Sequence, residues 1–222
     1  MGTSSAQPWA GAAWDLVAEQ HGVVTHAQLT GLGLGPGAIR HRLVNGRLHR
    51  LMRGVYAVGR PDVEARGRWM AAVLACGPEA LLSHRSAAAL WGIRREPGES
   101  MEVVVPAGTP RRRPGIRVHR RRDHDAPGRR FVDRIPVTHP IATLVDLATC
   151  VPSWQLEAAI NEADHRNLVD PEHLLASIDL LPRRVGVGRL RALLEAPTVA
   201  LTSTQLERRF LPLAREIGRA HV

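Results

Sequence analysis

Seven polar side chains crowd into one short stretch of this chain: Arg40, His41, Arg42, Asn45, Arg47, Arg50 and Arg53. Guanidinium groups donate paired hydrogen bonds to guanine edges and phosphate oxygens, and an asparagine amide pairs in the same way with adenine, so this set has the chemistry to hold and read a nucleic acid. All 30 basic residues of the 222-residue chain are arginine, set against 21 acids, for a formal net charge of +9. That balance favours a polyanionic partner. The absence of lysine beside abundant alanine, glycine and proline also fits a GC-rich genome, so placement carries more weight than amount. Within residues 1–60 every arginine lies at or after Arg40, and the only acids are Asp15 and Glu19.

Regular elements must position these groups. Trp9 to Gln20 reads as a helix with Trp14, Val17 and Ala18 on one side, ending near Gly22. Thr25 is placed to cap a second short helix running to Thr30. After the glycine turn "GLGLG", Pro36 opens a third helix, Ile39 and Leu43 form its inward face, and Gly46 ends it. The stretch "RLHRLMRGVYAVG" predicts two strands around a turn at Met52, Arg53 and Gly54, with Leu48, Val55 and Val58 available for a core. Helix, helix, glycine turn, basic helix and basic hairpin is the layout of a winged helix-turn-helix over residues 8–60. Its third helix would enter a major groove about 12 Å wide while the hairpin reaches adjacent phosphates. Thr25 joins the seven residues above as a candidate DNA contact.

Residues 62–196 read as a larger α+β domain, which makes the whole chain α+β. Helix signals lie in "VEARGRWMAAVLACG" and in "SHRSAAALWG", with Ser83 as N-cap and Gly92 as stop. Strands are predicted in "SMEVVVPA" and "GIRVHRR", and "IPVTHPIATLVDLAT" reads as a strand entering a helix. Two further helices place Leu156, Ala159, Ile160 and Ala163 in register and start at Pro171 behind Asp170; a last one ends before Pro197. A second basic patch, Arg111, Arg112, Arg113, Arg120 and Arg121, reads either as another nucleic-acid surface or as a solvated strand edge where charge discourages pairing. Asp123, Asp125 and Asp133 offset part of it.

Other chemistries find little support. Cys76 and Cys150 are the only cysteines and form no C-x-x-C pair, so buried reduced thiols are expected rather than a disulfide or a zinc site. The 11 histidines include no H-E-x-x-H, and "RDHD" at 122–125 has no second cluster at ligand spacing. His84 and His139 fall at helix starts and read as structural; no nucleophile elbow is present. No catalytic residue, metal or cofactor is expected. No secretory leader and no apolar run long enough for a membrane span occurs, so a cytoplasmic protein is expected.

The stretch "VVTHAQLTGLGLGPGAIRHRLVNGRLHRLMRGVYAVG" resembles the N-terminal domain of AbiEi-type antitoxins, the DNA-binding partners in type IV toxin–antitoxin systems. "LLSHRSAAALWGI" and "IPVTHPIATLVDLA" resemble the middle region of proteins that join this domain to an endonuclease-like one. The resemblance implies a transcriptional regulator that binds duplex DNA and pairs with a nucleotidyltransferase-like toxin. The same seven residues from Arg40 to Arg53 become its DNA contacts.

The end of the chain, "LTSTQLERRFLPLARE", is similar to the opening of the endonuclease domain of very-short-patch-repair enzymes, of the PD-(D/E)xK superfamily. There a first-helix glutamate, matching Glu207, supports a metal site built by later strands. This chain lacks lysine and has only 15 residues after Glu207. Residues 202–215 are therefore expected to be the first helix of a truncated domain, with Glu207 in a capping box with Thr204 and the chain itself no enzyme. The alternative is the DNA-targeting part of an endonuclease whose catalytic domain is missing. Glu216 to Val222, "EIGRAHV", reads as translated sequencing adapter rather than native protein.

Overall fold

A small core of Val17, Val24, Leu29, Leu34, Ile39, Leu48 and Tyr56 gathers the N-terminal elements. They run α1 (Pro8–Glu19), β1 (Val23–Thr25), α2 (His26–Gly31), α3 (Pro36–Val44), β2 (Leu48–Met52) and β3 (Val55–Val58). The computed structural model describes residues 8–95, 100–109, 113–122, 128–181 and 184–196. β1, three residues too short to show alternation, pairs antiparallel with β3 and completes a sheet of order β1-β3-β2. Thr25 caps α2 as expected, and does so reciprocally. Its hydroxyl accepts from the Gln28 N–H at 3.1 Å, and the Gln28 side-chain oxygen accepts from the Thr25 N–H at 2.9 Å. α3 begins at Pro36 and ends on Gly46 at φ +66°, where the Arg47 N–H returns to the Arg42 carbonyl at 2.9 Å.

The inward face of α1 differs from the expected one. Trp14 is 63% exposed and Ala18 is also exposed; the stripe that packs is Ala13, Leu16, Val17 and Gln20. Gln20 sets that rotation. Its buried amide donates to the Val23 carbonyl at 3.2 Å and exchanges hydrogen bonds with Gln28, which turns the helix away from Trp14.

α4 (Ala65–Cys76) is apolar nearly all round, burying Trp69, Met70, Ala71, Ala72, Val73, Ala75 and Cys76, as a helix covered on two sides must be. It lies between the first sheet and a second one. A single core joins Val23 and Val55 of the first sheet, α4, and Leu82, Val103, Val105, Ile135 and Val137 of the second. Gly67 permits the approach: a Cβ there would stand 2.3 Å from Val63 Cγ1 and 2.7 Å from the His21 carbonyl.

The second sheet has the order β6-β5-β4-β8-β7, from β4 (Leu81–Leu82), β5 (Met101–Pro106), β6 (Ile116–Arg121), β7 (Arg129–Val132) and β8 (Ile135–Thr138). β5–β6 and β4–β8 are parallel, β4–β5 and β7–β8 antiparallel. The chain is thus mixed α and β, as expected. β4 and β7 were not among the expected strands, one being two residues long and the other a polar edge. α5 (His84–Leu90), α6 (Pro140–Leu147), α7 (Ser153–His165), α8 (Pro171–Asp179) and α9 (Val187–Leu194) enclose a further core that includes Leu144, Leu147, Leu156, Ile160, Leu174 and Leu190. The stripe Leu156, Ala159, Ile160 and Ala163 is buried as its spacing predicts. Gly92, at φ +73°, follows α5 at the expected stop. Ser83 precedes α5, but its hydroxyl bonds the neighbouring His84 ring at 3.1 Å and caps nothing. Arg111, Arg112, Asp123, Asp125, and the expected helix over 202–215 with Glu207 lie outside the described residues, as do residues 216–222.

Candidate nucleic-acid interface

α3 buries Ile39, 3% exposed, and half-buries Leu43, which leaves Arg40, His41 and Asn45 on the solvent side and Arg47 on the turn beyond. The Asn45 amide nitrogen rests 3.1 Å from both ring nitrogens of His41, so these two side chains lie side by side on that face. Arg42 is half-buried and donates back to the Ala38 carbonyl at 3.1 Å. Arg50 is exposed on β2 beside a register shift between Arg50 and Met52, and Arg53 is exposed at the hairpin turn next to Gly54. The hairpin is tied to α2 through the Tyr56 hydroxyl and His26 Nδ1, 3.2 Å apart. Among the described residues, no side-chain hydrogen bond or ion pair holds Arg40, Arg47, Arg50 or Arg53. Thr25 is half-buried, with its hydroxyl engaged as the α2 cap.

The described arginines of the second patch behave differently. Arg113 donates to the Ala75 carbonyl at 2.9 Å and Arg120 to the Thr109 carbonyl at 2.7 Å. Arg121 grips Asp146 with both terminal nitrogens, at 2.5 and 3.0 Å. Each is tied to the protein by at least one of its donors.

Two family matches divide the chain near the same point as the architecture. Residues 15–59 match the family described as transcriptional regulator, AbiEi antitoxin. Residues 79–196, more than half of the chain, match the AbiEi antitoxin C-terminal domain. The chain belongs to the AbiEi antitoxin family. It is therefore a regulator of the toxin–antitoxin kind. The AbiEi regulator match covers the elements from the C-terminal part of α1 to β3, and the AbiEi C-terminal match covers β4 to α9, with α4 between them. No curated protein matches the chain. No helix among the described residues is long and apolar enough to cross a membrane.

The AbiEi C-terminal region also holds a buried polar cluster that the sequence conceals. The rings of His84 and His119 stack with centroids 3.6 Å apart and 16° between planes. Glu102, 2% exposed on β5, accepts from the Arg85 backbone N–H at 2.9 Å and faces Arg85, Arg117 and His119 at 3.8, 3.5 and 3.7 Å. Asp146, also 2% exposed, holds Arg121 and lies 3.8 Å from His84. Burial pushes the His84 imidazole down to about 4, and the Asp146 charge only partly opposes it, so the ring is neutral at physiological pH. Burial drives the Glu102 carboxyl up, but the His119 ring and the Arg85 N–H beside it outweigh that and leave it lowered.

Ser83, His84 and Asp146 are not a proton relay. Ser83 Oγ and Asp146 Oδ2 both face His84 Nδ1, whereas a relay needs the two partners on opposite ring nitrogens. His139 likewise serves structure, its Nδ1 accepting from the Ile141 N–H at 3.2 Å at the start of α6, with burial lowering its pKa. Among the described residues no group of three His, Cys, Asp or Glu is placed to hold a metal ion. Cys76 and Cys150 are not joined in a disulfide, and burial raises the pKa of Cys150.

Proposed function

We propose that this AbiEi-family regulator binds duplex DNA through a winged helix-turn-helix formed by residues 8–60. α2, the glycine turn and α3 make the helix-turn-helix, and the β2–β3 hairpin is the wing. The order of helices and strands and the β1-β3-β2 sheet support this reading. One observation carries it: the side chains of Arg40, Arg47, Arg50 and Arg53 stand exposed on α3, the turn after it and the hairpin without partners among the described residues, while the described arginines of the second patch are tied to the protein. Exposed cations on adjoining elements of a small unit lower the free energy of a phosphate backbone beside them, and counterion release supplies most of that gain.

In this reading Arg40, His41, Arg42 and Asn45 face base edges while Arg47, Arg50 and Arg53 hold phosphates. Thr25 orients α2 and through it the turn into α3. The partner proposed for residues 79–196 is a nucleotidyltransferase-like toxin, and the setting is the cytoplasm, where the DNA lies. A gel-shift titration on the promoter region of the gene tests the DNA part. Changing Arg40, Arg47, Arg50 and Arg53 together to Gln should abolish retardation, and changing Arg113 and Arg120 to Gln should leave it. Equal binding by the first variant and the parent would refute the assignment.

A further inference from the structure

α1 borders a cavity. Exposed Trp14 stands at the edge of a hollow of about 460 Å³ between α1 and the corner where α3 turns into β2. Its floor includes Val17, Leu29 and Leu48, all buried, and Arg42 and Arg47 also line it; no acidic residue among the described ones does. The volume lies within the range of small-molecule sites, which combine an apolar lining with a few polar groups that fix orientation.

An apolar hollow with two guanidinium groups and no carboxylate is matched by a ligand of one kind. A hydrocarbon would fill the floor but make no use of the Arg47 guanidinium, and an inorganic anion would leave the floor wet. A small aromatic or short-chain carboxylate does both, burying its apolar body on the floor and accepting a charge-assisted hydrogen bond from Arg47, whose side chain has no other partner among the described residues. We propose that this cavity binds a small amphipathic carboxylate and that occupancy draws Arg47, and with it Arg42, away from DNA. The second half rests on the proposed function, because both arginines are candidate DNA contacts. The first half does not.

Ala13 allows a clean block. It lines the cavity from α1, is half-buried, and lies outside the proposed DNA surface, so Ala13→Trp fills the hollow without removing any contact. Val17→Phe provides a second block should the first variant fold poorly. Titration calorimetry of the full chain with 2-naphthoate should give one site per chain, with 2-naphthamide binding about tenfold more weakly or worse, and both blocking variants should lose at least about tenfold in affinity. Saturating 2-naphthoate should weaken duplex binding by the parent but not by Ala13→Trp, whose own duplex affinity should match the parent's. Equal affinity for acid and amide, or binding that survives both blocking variants, would overturn the proposal. So would sedimentation showing a stable dimer that buries Trp14 and excludes the ligand. Naphthoate binding without any duplex binding would keep the cavity and remove the DNA reading. Duplex binding without naphthoate binding would do the reverse.

Discussion

The His21 ring lies 2.7 Å from the backbone carbonyl of Asp133, 112 residues further along the chain. Asp133 and Arg134 form the tip of the β7–β8 hairpin and both have positive φ, 48° and 64°, the conformation of a tight two-residue turn that arginine adopts at some cost. Their side chains show what the tip does. Asp133 pairs with Arg66 of α4 at 2.5 Å, and Arg134 pairs with Glu19 of α1 at 3.0 Å. Each exposed pair is worth little alone. Together with the core that α4 shares between the two sheets, they fix the orientation of the N-terminal unit on the AbiEi C-terminal region.

Gly67→Ala tests that junction. The added methyl group meets Val63 and the His21 carbonyl well inside contact distance, so α4 must retreat from the α1–β1 turn. The expected cost is about 1–3 kcal/mol, as for other overpacked sites. Gly37→Ala, in α3 with nothing within 4 Å, should be neutral or stabilising by up to about 1 kcal/mol. Urea unfolding of both variants measures the difference. Equal stability of the two would mean that α4 does not press on His21.

Asp146→Asn should be costly although it is nearly isosteric. It removes the charge that holds Arg121 and leaves that cation in a site where Asp146 is 2% exposed. Breaking a buried pair in this way costs about 3–5 kcal/mol. A loss below about 1 kcal/mol in the same unfolding assay would show the pair to be better solvated than its geometry indicates.

Acid should destabilise the fold through His84. Its folded pKa of about 4 lies below the ordinary value of 6.5, so between those values the unfolded chain binds more protons and stability falls as pH drops. The window gives an upper bound of roughly 3 kcal/mol. The lowered Glu102 carboxyl acts in the same direction at the acid end. Stability followed from pH 7 to pH 4 should decline in the parent and decline less in His84→Gln. Identical slopes in the two proteins would remove His84 as the cause.

Local chemistry made the N-terminal unit readable. Thr25, Pro36 and Gly46 mark element ends by caps and turn conformations that depend on neighbours a few residues away, and each occupies its expected place. Trp14 misled because a three-turn helix offers several apolar stripes, and the choice was made by Gln20, whose partners Val23 and Gln28 come later in the chain. The polar cluster was hidden for a similar reason. Arg117, His119 and Arg121 alternate along β6 like a solvated edge, and only the register Glu102↔Arg117 with α5 and α6 folded beside it sets that row against the buried Glu102, His84 and Asp146. α4 reads as an ordinary core helix, and nothing in its own residues reveals that two sheets share it.

Thr25 should act as a cap. Thr25→Ala is expected to lose about 1 kcal/mol of stability, and Thr25→Ser, which retains the hydroxyl, should lose far less. Well below the melting temperature, Thr25→Ser should bind duplex as the parent does. Weakened binding by a stable Thr25→Ser variant would instead place the Thr25 side chain against the DNA.

Salt dependence of duplex binding tests recognition by α3 and the wing most directly. The affinity of the parent should fall steeply and linearly with salt on logarithmic axes. The Arg50→Gln, Arg53→Gln double variant should flatten that slope by roughly two, about 0.9 for each lost phosphate contact. Arg42→Ala or Asn45→Ala should cost about 1–3 kcal/mol mainly on a preferred site and change the slope less than the double variant does. A double variant with the parent's slope and affinity would contradict DNA binding through this surface.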